Sequence, residues 1–291
     1  MEEAEAYVPV RLDAYLAGLH PKYSRAQIQR FIKDGNAQVN GEVKTKTGTL
    51  IKEHDSVTME VPDHSSQQFT ELEIPILYED ADCVVINKPL GVLTHSKGVF
   101  NPEPTVASWL SQRPHFELIN NEENQRAGIV HRLDRATSGV MICAKNQIAL
   151  THLQKQFQDR KAKKTYIARV IGSVDPPEAI IDLPIERNPK QPQRFRVGQN
   201  GKASVTVYKV LEESKGRQIT SLLELKPTTG RTHQLRVHLH YVSHPIIGDT
   251  FYDGKPADRL YLHAKALEIT LPNKQRQTFE TETPEEFYGS F

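Results

Sequence analysis

The sequence predicts an α+β protein with a small N-terminal α/β domain over 1–62, a linker over 63–73 and a larger domain over 74–291. The larger domain is expected to hold a mixed, mostly antiparallel sheet with flanking helices. Three observations lead there. At 291 residues the chain exceeds the usual single-domain size. A polar stretch with almost nothing apolar, His64-Ser65-Ser66-Gln67-Gln68 at its centre, separates two patterned regions. Beyond it, short apolar or alternating runs outnumber helical ones.

In the first region Leu12, Tyr15, Leu16 and Leu19 fall on one helical face. Pro21 punctuates, and Ser24 is a good N-cap for a second helix from Arg25 to Asp34. Its apolar stripe is Ile28, Phe31 and Ile32, and Gly35 is its stop. Residues 36–41 and 55–61 read as strands around turns. In the second region the runs at 164–170, 178–183, 203–208 and 219–225 read as strands. Two helices interrupt them, at 147–159 with Leu150, Leu153 and Phe157, and at 231–241.

Composition bounds the function classes. With 37% hydrophobic and 25% charged residues the chain is an ordinary globular one. Cys83 and Cys143 sit in apolar runs and read as core thiols, with no disulfide framework or thiolate metal site. The acidic start (Glu2, Glu3, Glu5) is unlike a secretory leader, and no apolar run is long enough for a bilayer. A cytoplasmic protein without membrane attachment is expected. The net charge of +1 is uneven. Basic residues dominate 22–52, 128–170 and 187–202, a pattern suited to a polyanion.

The most informative stretch is His131-Arg132-Leu133-Asp134-Arg135-Ala136-Thr137-Ser138-Gly139, ahead of the apolar run Val140-Met141-Ile142-Cys143-Ala144. It sets one carboxylate between two arginines at the edge of a core strand. Such an acid is held as the anion, fit for a nucleophile or an electrostatic anchor, or simply for a surface ion pair. Three further segments are chemically loaded. They are Val85-Ile86-Asn87-Lys88-Pro89 with Gly91, Lys164-Thr165-Tyr166-Ile167-Ala168, and Thr229-Gly230-Arg231-Thr232-His233-Gln234-Leu235-Arg236-Val237-His238.

These four segments, in this order, resemble the signatures of the uridine-to-pseudouridine isomerases of the RluA/RluD type, from about Ile74 nearly to the end. The pattern R-L-D, S-R, V-N-G of the first region resembles the small RNA-binding domain shared by a small-subunit ribosomal protein and tyrosyl-tRNA synthetase. That resemblance implies that Lys22, Arg25, Arg30 and Lys33 face RNA. The synthase resemblance implies Asp134 as catalytic nucleophile, Arg236 as its ion-pair partner and Tyr166 as the residue stacking on a flipped uracil. It also implies that Arg132 fills the vacated stack. Arg231 is the alternative partner or a phosphate contact, and Asn87 and Lys88 are weaker RNA-contact candidates. His131 reads as a loop hydrogen-bonding residue, Thr137 and Ser138 as turn caps, and Gly139 as a point of close chain approach.

No cofactor or metal is expected, because isomerising uridine oxidises nothing and the sequence shows no G-x-G-x-x-G, P-loop, C-x-x-C or H-E-x-x-H. The spacing of His233, His238, His240 and His244 does not make a zinc helix. Val85-Ile86-Asn87-Lys88 followed by His131-Arg132-Leu133-Asp134 also looks superficially like a kinase, but the Gly-rich loop and D-F-G are missing. A non-catalytic RNA-binding assembly factor would lack Asp134, Tyr166 or Arg236, and all three are present. A monomer acting on RNA is expected, with large-subunit ribosomal RNA favoured as target and transfer RNA as the alternative.

Overall fold

The computed structural model describes residues 8–21, 23–61, 72–95, 103–113, 116, 128–216 and 218–289. The predicted linker over 63–73 lies almost wholly outside them, as does Lys22. The chain divides into two compact units.

The first unit runs β1 (Val10–Arg11), α1 (Leu12–Leu19), α2 (Arg25–Lys33), β2 (Ala37–Val39), β3 (Glu42–Val43), β4 (Leu50–Ile51) and β5 (Val57–Met59). Ser24 caps α2 through a capping box with Gln27, a local device that stabilises a helix start by about 1 kcal/mol. Gly35, at φ +83°, lets the chain turn out of the helix. Leu12, Leu16, Ile28, Phe31 and Ile32 bury the facing sides of the two helices against Ala37, Val39 and Ile51. Leu19 departs from the expected face and is exposed, because it closes the last turn of α1 beyond the core. β2 pairs antiparallel with both β3 and β5.

The second unit contains β6 (Ile76–Glu79), β7 (Cys83–Lys88), α3 (Val106–Ser111), β8 (Ser138–Ala144), α4 (Gln147–Gln158), β9 (Lys163–Ile171), β10 (Glu178–Asp182), β11 (Ile185–Arg187), β12 (Phe195–Val197), β13 (Val205–Lys215), β14 (Ile219–Pro227), α5 (Gln234–Tyr241), β15 (Leu262–Thr270) and β16 (Arg276–Glu280). Among the described residues a nine-stranded sheet runs β10-β13-β14-β9-β15-β8-β7-β6, with β16 on β15. Only the β8–β15 pairing is parallel, so the expected mixed, mostly antiparallel sheet is present. β11 and β12 form a separate hairpin. The helix α3, capped by Thr105, is six residues long and carries too short a pattern to be read from periodicity.

β8 is buried along its whole length, which places the residues just before it on a rigid edge. Gly139, at φ +117°, makes the close approach possible: a Cβ there would lie 2.2 Å from the Ala264 carbonyl oxygen. Cys83 and Cys143 are free and buried in the core. No helix among the described residues is long and apolar enough to cross a membrane.

Candidate active site

A cleft of about 510 Å³ opens where the loop before β8, the strand β9 and the turn between β14 and α5 meet. Among the described residues that line it, Asp134 is the only carboxylate. Its backbone is fixed on three sides. The Leu133 N–H and carbonyl both bond the Thr94 hydroxyl, at 3.3 and 2.8 Å. The Thr137 N–H donates to the Asp134 carbonyl at 3.0 Å, closing the turn. The Arg135 carbonyl accepts the Gly91 N–H at 3.0 Å. Leu133 itself is buried, so the carboxylate is presented from a packed base, as positioning requires.

Arg236 reaches Asp134 from the first turns of α5, with Nη1 3.3 Å from Oδ2. Its stronger hold is on Asp249. Nε and Nη2 donate to the two Asp249 oxygens at 2.7 Å each, a bidentate fork on an acid buried to 1%. Burial works against the Arg236 charge, yet the Asp249 hydrogen bond and the charges of Asp249 and Asp134 outweigh it, so its pKa lies above the ordinary value. The guanidinium also lies over the Tyr252 and Phe251 rings, 5.0 and 5.7 Å from their centroids.

His233 completes this side. It sits in the left-handed region at φ 54°, immediately before α5. Its Nδ1 lies 2.8 Å from the Tyr252 hydroxyl and its Nε2 3.8 Å from Asp134 Oδ2. Burial lowers its pKa against the pull of the Asp134 charge. The helix therefore begins at Gln234, three residues later than the sequence pattern predicts. The Gln234 side chain folds back to accept the Arg231 N–H at 3.0 Å, which ends the loop there.

Tyr166 lines the cleft from β9 and is pushed above its ordinary pKa, by burial first and then by the Asp134 charge, so it remains a neutral phenol. Lys164, two residues earlier and on the same strand face, also lines the cleft. His131 stacks on Phe157 at 4.4 Å, and its Nε2 accepts the Ile142 N–H at 3.2 Å. Burial, then the Lys164 charge, lowers His131 to about 3, which keeps it a neutral loop-bonding residue.

A family model described as RNA pseudouridylate synthase matches residues 82–241. The chain belongs to that family. An S4 domain model matches residues 10–57. An uncharacterised RNA pseudouridine synthase of Aquifex aeolicus is 38% identical, over 95% of this chain and 91% of that protein. A protein of Borreliella burgdorferi named ribosomal large subunit pseudouridine synthase D is 39% identical, over 96% of this chain and 87% of its own length. The solved structure of human RNA pseudouridylate synthase domain containing 1 aligns with a TM-score of 0.61 at 29% identity, covering 73% of this chain and 84% of that one. The chain is thus an RNA pseudouridine synthase, an isomerase with an N-terminal S4 domain.

Within this synthase Asp134, Tyr166, Arg236, Arg132 and Arg231 all border one cleft. Arg132 is exposed at its rim, and Arg231 bonds the Ala203 carbonyl through Nε at 3.3 Å. Three expectations need correction. Lys88 is fully buried and no RNA contact: its ammonium donates to the carbonyls of Pro89 at 2.9 Å and Val92 at 2.8 Å, with Arg135 at 3.5 Å. Burial brings it down to about 8, against the raising effect of Asp134. It braces the loop behind the nucleophile candidate. Asn87 is half-buried, donates to Thr281 Oγ1 at 3.1 Å and does not line the cleft. Ser138 is not a turn cap either. It lies in β8, accepts from Arg259 Nη2 at 2.7 Å and meets His263 Nδ1 at 2.9 Å.

In the S4 unit, Arg25 is half-exposed but its guanidinium is engaged by the buried Asp13, 3.1 Å away, which Arg11 and Gln29 also bond. Arg30 pairs with Asp34 at 3.6 Å on the exposed helix face, and Lys33 is exposed beside it. Among the other histidines weighed as ligands, His238 bonds Thr206 and the Leu183 carbonyl, and His244 the Ile171 carbonyl.

Proposed function

We propose that this synthase isomerises specific uridines of large-subunit ribosomal RNA, drawing the base out of its stack into the cleft and using Asp134 as the nucleophile. The observation that carries this reading is Asp134, the one cleft carboxylate among the described residues, backed by Arg236 and beside a neutral Tyr166. The reaction breaks the bond from ribose C1′ to uracil N1, turns the ring and joins C1′ to C5, with loss of the C5 proton. Asp134 has three routes into it: attack on C1′, attack on the uracil ring, or removal of a sugar proton to give a glycal.

Tyr166 then packs on the base as an uncharged phenol. That state supports a stacking role, and a proton taken from C5 would need another acceptor first. Arg132, exposed in the described structure, fills the vacated stack and so offsets part of an extrusion cost on the order of a few kcal/mol. Residues 1–62 act as an RNA clamp, joined through 63–73 to a catalytic domain over 74–291, and Lys22, Arg25, Arg30 and Lys33 contribute phosphate contacts.

The ribosomal target is supported by relatives named ribosomal large subunit pseudouridine synthase D, in Borreliella burgdorferi and in Escherichia coli. Mapping pseudouridines across ribosomal and transfer RNA, with and without the gene, tests it. Loss at one or a few large-subunit uridines is expected. Loss confined to transfer RNA would move the target, and an unchanged map would remove the reading.

A further inference from the structure

Among the described residues the Lys164 ammonium has no carboxylate partner. Its Nζ donates to the Thr229 carbonyl at 2.8 Å, and no carboxylate among the described residues lies within ion-pair reach of it. An ammonium has three donors, so two remain for a ligand. The neighbouring Lys163 makes the contrast. It points to the other strand face and pairs with Glu268 at 3.3 Å. Burying a charge is costly unless it is paired, and here burial brings the Lys164 pKa down to about 8.

The surroundings define what would pair with it. The loop before β8 contributes His131, which is neutral, Arg132 and Asp134. The turn after α4 contributes Arg160, and the turn before α5 contributes Arg231 and His233. Asp134, the one carboxylate among the described cleft residues, is already held by Arg236. What remains is an excess of positive charge on the strand face that carries Tyr166.

We propose that Lys164 binds a phosphodiester oxygen next to the target nucleotide, anchoring the backbone while the base lies against Tyr166. This rests on the uridine-isomerase reading above. An anion is the fitting ligand, because a neutral uracil carbonyl would leave the buried charge uncompensated. Lys164 thus fixes the sugar-phosphate relative to Asp134.

Filter binding of the full-length protein to hexauridylate tests this without turnover, so its failure is distinct from failure of the isomerase reading. Lys164→Gln is expected to weaken binding about tenfold or more, the scale of one charge-assisted hydrogen bond. It should also flatten the log–log salt slope by about 0.7, the single-strand value for one phosphate contact. Wild-type affinity should fall as pH rises above about 8, while Lys164→Arg holds its affinity to higher pH. On hexauridylate with neutral methylphosphonate linkages, wild type and Lys164→Gln should bind alike. A Lys164→Gln protein with unchanged affinity and slope would overturn the proposal. So would a difference that persists on the neutral probe, which would assign Lys164 to the base. If Lys164→Gln does not fold, Lys164→Met is read on the same two probes: a salt slope and affinity on hexauridylate equal to those of wild type reject the anchor.

Discussion

Asp249 grips Arg236 with two 2.7 Å hydrogen bonds and leaves one guanidinium nitrogen, Nη1, to reach Asp134 at 3.3 Å. The arginine is aimed from behind by an acid that never meets the cleft. Asp249→Asn turns one of the two acceptors into a donor facing a cation. Breaking a buried pair by removing one charge costs roughly 3–5 kcal/mol. Urea unfolding should show a loss of that order, accompanied by a fall in turnover. Wild-type stability in that variant would mean that Arg236 is held by the Tyr252 and Phe251 rings instead.

Arg236→Lys is expected to lose both activity and stability. A point charge on a flexible stem cannot span Asp249 and Asp134 together, so the fork on one side or the contact on the other is lost. Turnover should drop by at least about a hundredfold, equivalent to about 2.7 kcal/mol in the barrier, measured by tritium release from RNA labelled at uridine C5. The thermal midpoint should fall as well. Unchanged turnover would shift the role to Arg231.

Acid sensitivity follows from buried neutral histidines. Burial, helped by the Arg259 charge, lowers His263 to about 4, and His131 is lowered to about 3. An unfolded histidine titrates near ~6.5. Between those values the unfolded chain binds more protons, so stability is complete above about 6.5 and drains away as pH falls towards 4. His263 is 1% exposed and contributes a slope of about 1.4 kcal/mol per pH unit. Chemical denaturation at pH 7, 6, 5 and 4.5 should show this loss, and His263→Gln should flatten it. A His263→Gln slope equal to that of wild type would show that other groups carry the acid sensitivity.

Local signals carried much of this structure in the sequence. Ser24 as an N-cap announced α2, and the fully apolar run after Gly139 announced a buried strand. Asp134, Tyr166 and Arg236 were legible because each lies in a dense motif. Asp249 was not. It is thirteen residues from Arg236 with no helical or strand spacing to link them, and only the turn before Thr250 brings the two together. Lys88 was misread because a lysine ending an apolar run ordinarily reaches for water. Here backbone carbonyls take its ammonium inside the fold, which no one-dimensional pattern records. The late start of α5 has the same origin, since the left-handed His233 and the folded-back Gln234 are set by tertiary contacts.

The central claim is that the charge on Asp134 does the chemistry. Asp134→Asn keeps the side-chain shape, and its neighbours hold the loop through backbone groups that the change does not touch. A single-turnover assay at saturating enzyme, on target RNA carrying tritium at uridine C5, reads the step directly. The account predicts a folded protein with a wild-type melting profile that still binds RNA and releases no tritium. Release within tenfold of the wild-type rate would contradict it and remove Asp134 from the nucleophile role.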